Sequence, residues 1–308
     1  MSAKKIFLGF LFIVLVSVLI INFQMFHFAK ENYISQEFSK AGTNFSQDEK
    51  QSQQFYPNMR YSSKEISYRF EDCPISKKND FERATEIISE KTILSFYEVF
   101  HDEEILVTCS EKERIEDGLF IAGEGGPKNI TLSGDYHVIK KGSVHLIRKS
   151  ECPNPNVAIH EILHALGFEH SENKNNIMYN ISYCKQEIGQ DTLEIINKIY
   201  LEEPFADLII TKANAQIVNK YLNSTLEIQN VGLIDSKESE LIIKLDKTEV
   251  KKMNLSSMEI GTGISISLSN VKISLRKFEN ISFEIEYEDK EINKENNLLV
   301  LKMNKFEE

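Results

Sequence analysis

The sequence predicts three parts in order: a membrane-spanning N-terminal helix, an α+β domain and an all-β domain. Residues 6–23 form an uncharged apolar run. Residues 65–203 mix alternating strands with amphipathic helices, and residues 204–308 contain only short alternating strands between polar turns. A chain of 308 residues is long enough for two such domains and an accessory segment.

The apolar run from Ile6 to Phe23 is about as long as a helix that crosses a bilayer. Lys4 and Lys5 precede it, which predicts an N-terminus in the cytoplasm and the rest of the chain outside the cell. A cleaved signal peptide is the alternative, but no clear small-x-small cleavage site follows the run. We therefore predict that residues 1–23 are an uncleaved, single-pass anchor in the cell membrane, with secretion after cleavage as the alternative.

Residues 24–64 are polar and rich in Gln, Ser, Asn and Lys, without a sustained period. This composition predicts a stalk between the membrane and the first domain, and a propeptide is the alternative. Because the segment contains no Cys, a propeptide here could not block an active site through a thiolate.

The α+β domain is predicted from the elements between residues 65 and 203. Residues 66–71 alternate as a strand, and Asn79 begins an amphipathic helix. Residues 122–127 predict a glycine-rich loop, and residues 191–200 predict a second amphipathic helix. Four further strands are predicted: 94–100, 104–108, 136–139 and 143–148.

The composition changes at Glu203-Pro204, and neither Cys nor His occurs after that point. Short alternating strands then follow at a spacing typical of a β-sandwich. They are predicted at 207–211, 225–231, 240–245, 265–268, 282–287 and 298–303. Residues 204–308 are therefore expected to form a non-catalytic all-β domain.

Charge and cysteine content limit the partners and the compartment. The net charge is −11 and no large cluster of Lys and Arg occurs, which argues against a nucleic-acid partner. The cysteines lack Cys-x-x-Cys spacing, and outside the cell they predict two disulfides. They are Cys73, Cys109, Cys152 and Cys184.

The segment from residue 157 to residue 170 carries a metal-binding pattern. A helix is predicted up to Gly167, which ends it in the left-handed conformation. His160 and His164 lie four residues apart, so both imidazoles project from one face and can hold a single Zn²⁺ at about 2.0–2.1 Å. His170 arrives from outside the helix as a third ligand. Three ligands leave a fourth corner open, which is typical of a catalytic zinc.

Glu161 directly follows the first of these histidines. Its offset makes it unsuitable as a further ligand but places it beside the same site. This is the position of a general base, which would take a proton from a zinc-activated water and pass it to the leaving amine.

The pattern His-Glu-x-x-His-x-x-Gly-x-x-His, from His160 to His170, followed by Met178, resembles the signature of the metzincin zinc peptidases. The neighbouring residues, Ala-Leu-Gly-Phe-Glu-His-Ser and Ile-Met-Tyr, are most similar to the matrixin branch. The resemblance implies an α+β catalytic domain over residues 65–203, with a twisted mixed sheet, an active-site helix and a C-terminal helix. It also implies that Met178 is the Met-turn residue beneath the zinc.

This resemblance further implies a zinc metalloendopeptidase with one catalytic zinc and a polypeptide substrate. An extended substrate would pair with an antiparallel edge strand between Phe120 and Ile139. A structural zinc gains no support, since only His137 and His145 remain in that half of the domain, and calcium gains none either. Asn180-Ile-Ser-Tyr183 stands where matrixins carry Pro-x-Tyr, so pocket specificity does not carry over.

The resemblance also implies the disulfide pairing. In the metzincin sheet the first and third strands are parallel neighbours, and Cys73 and Cys109 follow these two strands at the same end. Cys152 precedes the active-site helix and Cys184 follows the Met-turn, so these two bracket the site. The expected pairs are Cys73–Cys109 and Cys152–Cys184.

Three segments of the C-terminal domain resemble the cell-adhesion-related (CARDB-type) Ig-like domain: Ala206-Asp-Leu-Ile-Ile, Asn230-Val-Gly232 and Asn293–Asn297. The resemblance implies a surface or cell-wall ligand for this domain. The whole chain is thus expected to be a membrane-anchored extracellular zinc endopeptidase. A non-catalytic, zinc-containing surface adhesion or binding protein is the alternative.

Overall fold

The computed structural model describes residues 34–37, 53–112, 114–116, 119–147, 152–274 and 277–303. These residues form a mixed α/β domain followed by an all-β antiparallel domain, in the order predicted from the sequence. The predicted anchor at residues 6–23 lies outside the described residues. Within the described part of the chain, no helix is both long and apolar enough to cross a membrane.

The described elements up to residue 199 are β1 (Ile34–Glu37), β2 (Met59–Tyr61), β3 (Glu65–Glu71), α1 (Ile75–Lys91), β4 (Ser95–Glu98), β5 (Ile105–Cys109), β6 (Arg114–Glu116), β7 (Leu119–Ile121), β8 (Gly123–Ser133), β9 (Tyr136–Leu146), α2 (Asn156–Ala165) and α3 (Gln190–Ile199).

Most of the predicted elements are present, three of them differ from their predictions, and β1, β2, β6 and β7 were not predicted. Helix α1 starts at Ile75 instead of Asn79, directly after Pro74 at its N-cap. The two strands predicted at 136–139 and 143–148 are one continuous strand, β9. The predicted loop at 122–127 is wrong, because most of it is the first part of β8. This stretch is rich in glycine, which has no side chain, so it shows no alternation of apolar and polar residues. Its strand conformation comes from pairing with β9, which the sequence pattern does not reveal.

A mixed sheet forms the centre of the first domain. Strands β2, β9, β5, β3 and β4 lie in that order, and each neighbouring pair among them is parallel. Strand β8 runs antiparallel along β9. Fully buried side chains from β3, α1, β9 and α2, such as Ile66, Phe81, Val144 and Ile162, join in one core. This core holds α2, which carries two of the three candidate metal ligands.

Residues 53–61 belong to the first domain, so its folded part begins earlier than the predicted boundary at residue 65. Met59 and Tyr61 are fully buried, and β2 pairs with residues 137–139 of β9. The side chain of Gln54 is also buried and bonds to the backbone of Met59. The stretch is too short to show a period, which is why its composition predicted a stalk up to residue 64.

The second domain is an antiparallel sandwich. Its elements are β10 (Leu208–Val218), β11 (Tyr221–Asn230), β12 (Ser239–Leu245), β13 (Thr248–Leu255), β14 (Gly263–Lys272), β15 (Asn280–Glu286), a short 3₁₀ turn (Glu295–Asn297) and β16 (Leu298–Lys302). One sheet has the order β1-β10-β11-β14 and the other β13-β12-β15-β16, and the two share one apolar core. Strand β13 is absent from the predicted set, because most of its side chains are exposed and polar.

Two disulfides connect distant parts of the first domain. Cys73, just after β3, bonds Cys109 at the end of β5, the parallel neighbour of β3. Cys152, before α2, bonds Cys184, which follows Met178 in the chain. These are the pairs that the family resemblance implies.

Candidate metal centre

Helix α2 brings two histidines into the interior of the first domain. Its residues 158–165 are all buried, including His160 and His164. The helix ends where Gly167 takes a φ of +95°, a conformation that glycine adopts without strain. A Cβ at this position would lie 2.5 Å from Met59 Sδ. Both the turn and the close approach of β2 therefore require glycine.

The turn at Gly167 returns the chain so that His170 faces the two helical histidines. The ring centroids of His160 and His164 are 4.6 Å apart, and His170 lies 5.2 and 4.7 Å from them. The Nε2 atoms of His164 and His170 are 3.2 Å apart. One ligand nitrogen from each of the three residues lies within 4.8 Å of the others.

Backbone carbonyls orient the two helical rings. His160 Nδ1 lies 2.6 Å from the carbonyl oxygen of Ile177, and His164 Nδ1 lies 2.7 Å from that of Phe168. Since a carbonyl can only accept, each Nδ1 must donate a proton, and Nε2 keeps its lone pair. This carbonyl-held tautomer is the one that metal-ligating histidines commonly adopt.

The geometry fits zinc. Two nitrogens that each lie about 2.0–2.1 Å from a tetrahedral ion are roughly 3.3 Å apart, close to the 3.2 Å between His164 Nε2 and His170 Nε2. Burial lowers the pKa of His160 to about 4 and that of His164 to about 3. Both rings are therefore neutral near pH 7, as metal ligation requires. Among the described residues, these three form the cluster of potential ligands close enough to share an ion.

Glu161 lies in the same interior, against strand β8. Glu161 is buried, and a Cβ added to Gly123 would lie 2.7 Å from the Glu161 side chain. A Cβ on Gly125 would lie only 2.1 Å from the Glu161 carbonyl oxygen. The glycines of β8 therefore allow the strand to lie directly on α2. Burial raises the pKa of the Glu161 carboxyl to about 8, and the neighbouring Glu124 contributes to the rise.

Two family models match the chain at these domains. The model described as matrixin matches residues 34–201, which is more than half of the chain. The chain belongs to the matrixin family. Its first domain is therefore the domain of a metallopeptidase, and the family implies zinc. The second model, CARDB, matches residues 205–300. A search of curated proteins gave no match.

The matrixin domain holds Met178 in a buried turn that follows the third histidine. The N–H of Met178 donates to Asn176 Oδ1 at 2.9 Å, and its carbonyl oxygen accepts from the N–H of Ser171 at 2.8 Å. The second bond ties the residue after His170 to this turn. Because Ile177 supplies the carbonyl that orients His160, the turn around Met178 also determines how that ring points.

Several residues of the cleft were not predicted from the sequence. The cleft is lined by the three histidines, Glu161, the first part of β8, and Ser143, His145 and residues 180–182. Glu124, in the cleft, and Asn176, beside Met178 and outside the cleft lining, had no assigned role, and His145 was considered only for a structural zinc. His145 Nδ1 bonds Thr108 Oγ1 at 2.8 Å. Asn176 lies two residues before Met178, and its side chain is buried. An Asn in this position can form an Asx turn, and that is the one signal in the sequence that could have pointed to it.

Proposed function

We propose that this protein is an exported endopeptidase that hydrolyses peptide bonds with one zinc ion at His160, His164 and His170, and with Glu161 as the general base. One observation carries the proposal: three imidazoles, whose pKa values are lowered by burial, and one buried carboxyl group converge in a single cleft. Strand β8, which lies at an edge of the sheet, lines this cleft, and this is the arrangement that an extended peptide needs.

Each residue has a distinct part in this chemistry. When bound, zinc polarises the scissile carbonyl and lowers the pKa of water. The carbonyls of Ile177 and Phe168 hold the rings of His160 and His164 with Nε2 toward the site. A carboxylate oxygen of Glu161 takes the proton of the attacking water and then gives it to the nitrogen of the leaving amine. The ionised form of Glu161 is favoured when a cation occupies the adjacent imidazoles.

The position of strand β8 favours a polypeptide as the substrate. It lies at the edge of the sheet, and within the described residues β9 is its one strand partner. Its other edge can therefore bond to the main chain of an extended peptide. Such pairing depends on backbone groups, so it is compatible with many sequences. Side-chain preference would come from residues 180–182 and His145, which line the cleft beside β8.

The location outside the cell remains part of the proposal. The apolar run at residues 6–23, with Lys4 and Lys5 before it, supports a membrane anchor. Two disulfides and no free cysteine among the described residues fit an oxidising compartment.

The experiment uses the full chain, purified in detergent, with casein and a quenched peptide as substrates. Hydrolysis should disappear with a chelator and return with zinc. Glu161→Ala should abolish hydrolysis while still binding one zinc ion per chain. Glu172→Gln, a change at an exposed carboxylate two residues after His170, should leave hydrolysis unchanged.

Cleavage that survives in Glu161→Ala would rule out its role as the base. If the wild-type chain binds zinc but cleaves neither substrate, the non-catalytic surface protein is the better description.

A further inference from the structure

The tip of the β8–β9 hairpin contacts the CARDB domain through a buried serine. Ser133, at the end of β8, is 1% exposed, and its Oγ donates to the carbonyl oxygen of Gly232 at 2.6 Å. Val138 of β9 and Leu233 of the CARDB domain are fully buried in a small apolar cluster with Ile260. The two domains therefore meet through packed side chains and a direct hydrogen bond.

The two backbones also approach closely at glycines on both sides. Gly134, in the hairpin turn, has a φ of +57°, and a Cβ there would lie 2.9 Å from the carbonyl oxygen of Val231. Gly261, in the CARDB domain, has a φ of +71°, and a Cβ there would lie 2.4 Å from the carbonyl oxygen of Leu132. Neither position accepts another residue without displacement, so this contact is closely fitted.

Strand β8 connects this contact to the candidate active site. Gly123 and Gly125 lie on Glu161 at one end, and Ser133 lies in the CARDB contact at the other. Ser133 lies eight positions after Gly125 in the strand, a span of roughly 25 Å. The strand thus reaches from the catalytic cleft to the second domain.

The outer half of β8 follows an irregular stretch of its pairing with β9. It pairs with β9 alone among the described residues, and its register shifts between Pro127 and Asn129 and again at Ile130. Proline lacks an N–H, and bulges interrupt the hydrogen-bond ladder. Ile130 of this half packs against the core of the first domain, and the far end of the half is held by the contact with the CARDB domain.

We propose that the CARDB domain is a positioning element of the peptidase, which holds residues 129–133 of β8 in line for an extended substrate. Leu233 and Ser133 are the positioning residues. The proposal rests on the proposed function and names a further part of the same site. A substrate that pairs antiparallel with β8 runs opposite to it, so residues N-terminal to the scissile bond lie along this outer half.

The test compares Leu233→Ala with Leu245→Ala in the full chain. Both leucines are fully buried, but Leu245 lies in the core of the sandwich and outside the cluster with Val138. KM and kcat are measured on two quenched peptides, with two or six residues before the scissile bond. Leu233→Ala should raise KM about tenfold for the longer peptide, with kcat and the shorter peptide unchanged. Leu233→Met should keep the wild-type KM.

Hydrogen exchange supplies a readout that does not need turnover. Amides of residues 129–133 should exchange at least tenfold faster in Leu233→Ala than in the wild-type chain, and at the wild-type rate in Leu245→Ala. Equal effects of Leu233→Ala on both peptides, or the same effects from Leu245→Ala, would overturn the proposal. If the wild-type chain cleaves nothing, the proposed function fails. In that case, unchanged hydrogen exchange of residues 129–133 in Leu233→Ala would still overturn the positioning role, because this measurement does not need turnover.

Discussion

At the scale of single residues, Asn176 links the Met178 turn to the first candidate ligand. Its buried amide accepts a hydrogen bond from Met178 N–H at 2.9 Å, and the intervening Ile177 carbonyl lies 2.6 Å from His160 Nδ1. Asn176 also packs against Gly189 at the start of α3, where a Cβ would lie 2.3 Å from Asn176 Nδ2. One polar side chain thus joins the turn, the ligand and the last helix of the domain.

Replacing Asn176 by Ala should weaken zinc binding about tenfold, because the carbonyl that orients His160 loses its support. The free energy of unfolding should fall by about 1–2 kcal/mol, as expected when a buried hydrogen bond is lost. Asn175→Ala is the matched control, since the neighbouring side chain is exposed. Zinc titration and denaturant unfolding of both variants measure the difference. Equal zinc affinities would show that Asn176 does not orient the site.

Asp207 gives the CARDB domain a specific response to pH. Burial raises the pKa of its carboxyl to about 6, and Glu291 and Glu202 add to the rise, while a hydrogen bond from Asn296 opposes it. The pKa in the folded chain is therefore above that of an unfolded Asp, about 3.9. The folded state binds the proton more tightly, so stability decreases as pH rises from about 4 to about 6.

Asp207→Asn should remove this contribution while keeping a side chain of the same shape. The wild-type chain should lose stability relative to the variant as the pH rises from about 4 to about 6, and the gap should stay constant above about pH 7. Thermal unfolding of both chains across this pH range measures the difference in their stability. A gap that does not change with pH would show that Asp207 titrates normally.

At the scale of elements, the contact between β8 and α2 defines the inner wall of the cleft. The strand can approach the helix because Gly123 and Gly125 have no side chains, and Glu161 occupies the space that a Cβ would need. Nothing in the hydrophobic pattern of this stretch marks it as a strand. Its conformation follows from the pairing with β9 instead.

Gly125→Ala should separate β8 from α2, because the new Cβ would lie 2.1 Å from the Glu161 carbonyl oxygen. We expect a loss of about 2–3 kcal/mol of stability from overpacking and about a hundredfold loss of peptide hydrolysis from misplacement of Glu161. Gly126→Ala is the control, since no atom lies within 4 Å of its Cβ position. Hydrolysis rates and unfolding curves should differ between these adjacent variants, and similar losses in both would argue against the contact.

At the scale of the whole molecule, the two disulfides close loops of similar length in different places. Their sequence separations are 36 residues for Cys73–Cys109 and 32 for Cys152–Cys184. Chain entropy alone predicts nearly equal stabilisation, about 3–4 kcal/mol each. Their effects on the metal centre should differ, because Cys152 and Cys184 bracket α2 and the Met178 turn.

Replacing each pair by alanines tests this difference. Both double variants should lose comparable stability, and the one without Cys152–Cys184 should also bind zinc several-fold more weakly. Denaturant unfolding and zinc titration are the measurements. Equal zinc affinity in the two variants would mean that the second disulfide stabilises the fold without positioning the ligands.

The sequence alone determined the local features of this protein. Histidines four residues apart on a helix, a glycine that ends the helix and a third histidine beyond it are contiguous, and helical geometry places them together. The order of the two domains follows in the same way from local composition and periodicity. These features depend on contacts between residues close in the chain, so a linear pattern records them.

The tertiary structure alone decided which distant segments complete the site. The strand nature of β8, the inclusion of residues 53–61, the role of Asn176 and the contact between Ser133 and the CARDB domain were not visible in the pattern. Each depends on backbone groups, glycines or single polar side chains that meet residues far away in the chain. Such contacts leave no hydrophobic period, so they become apparent only when the chain is folded.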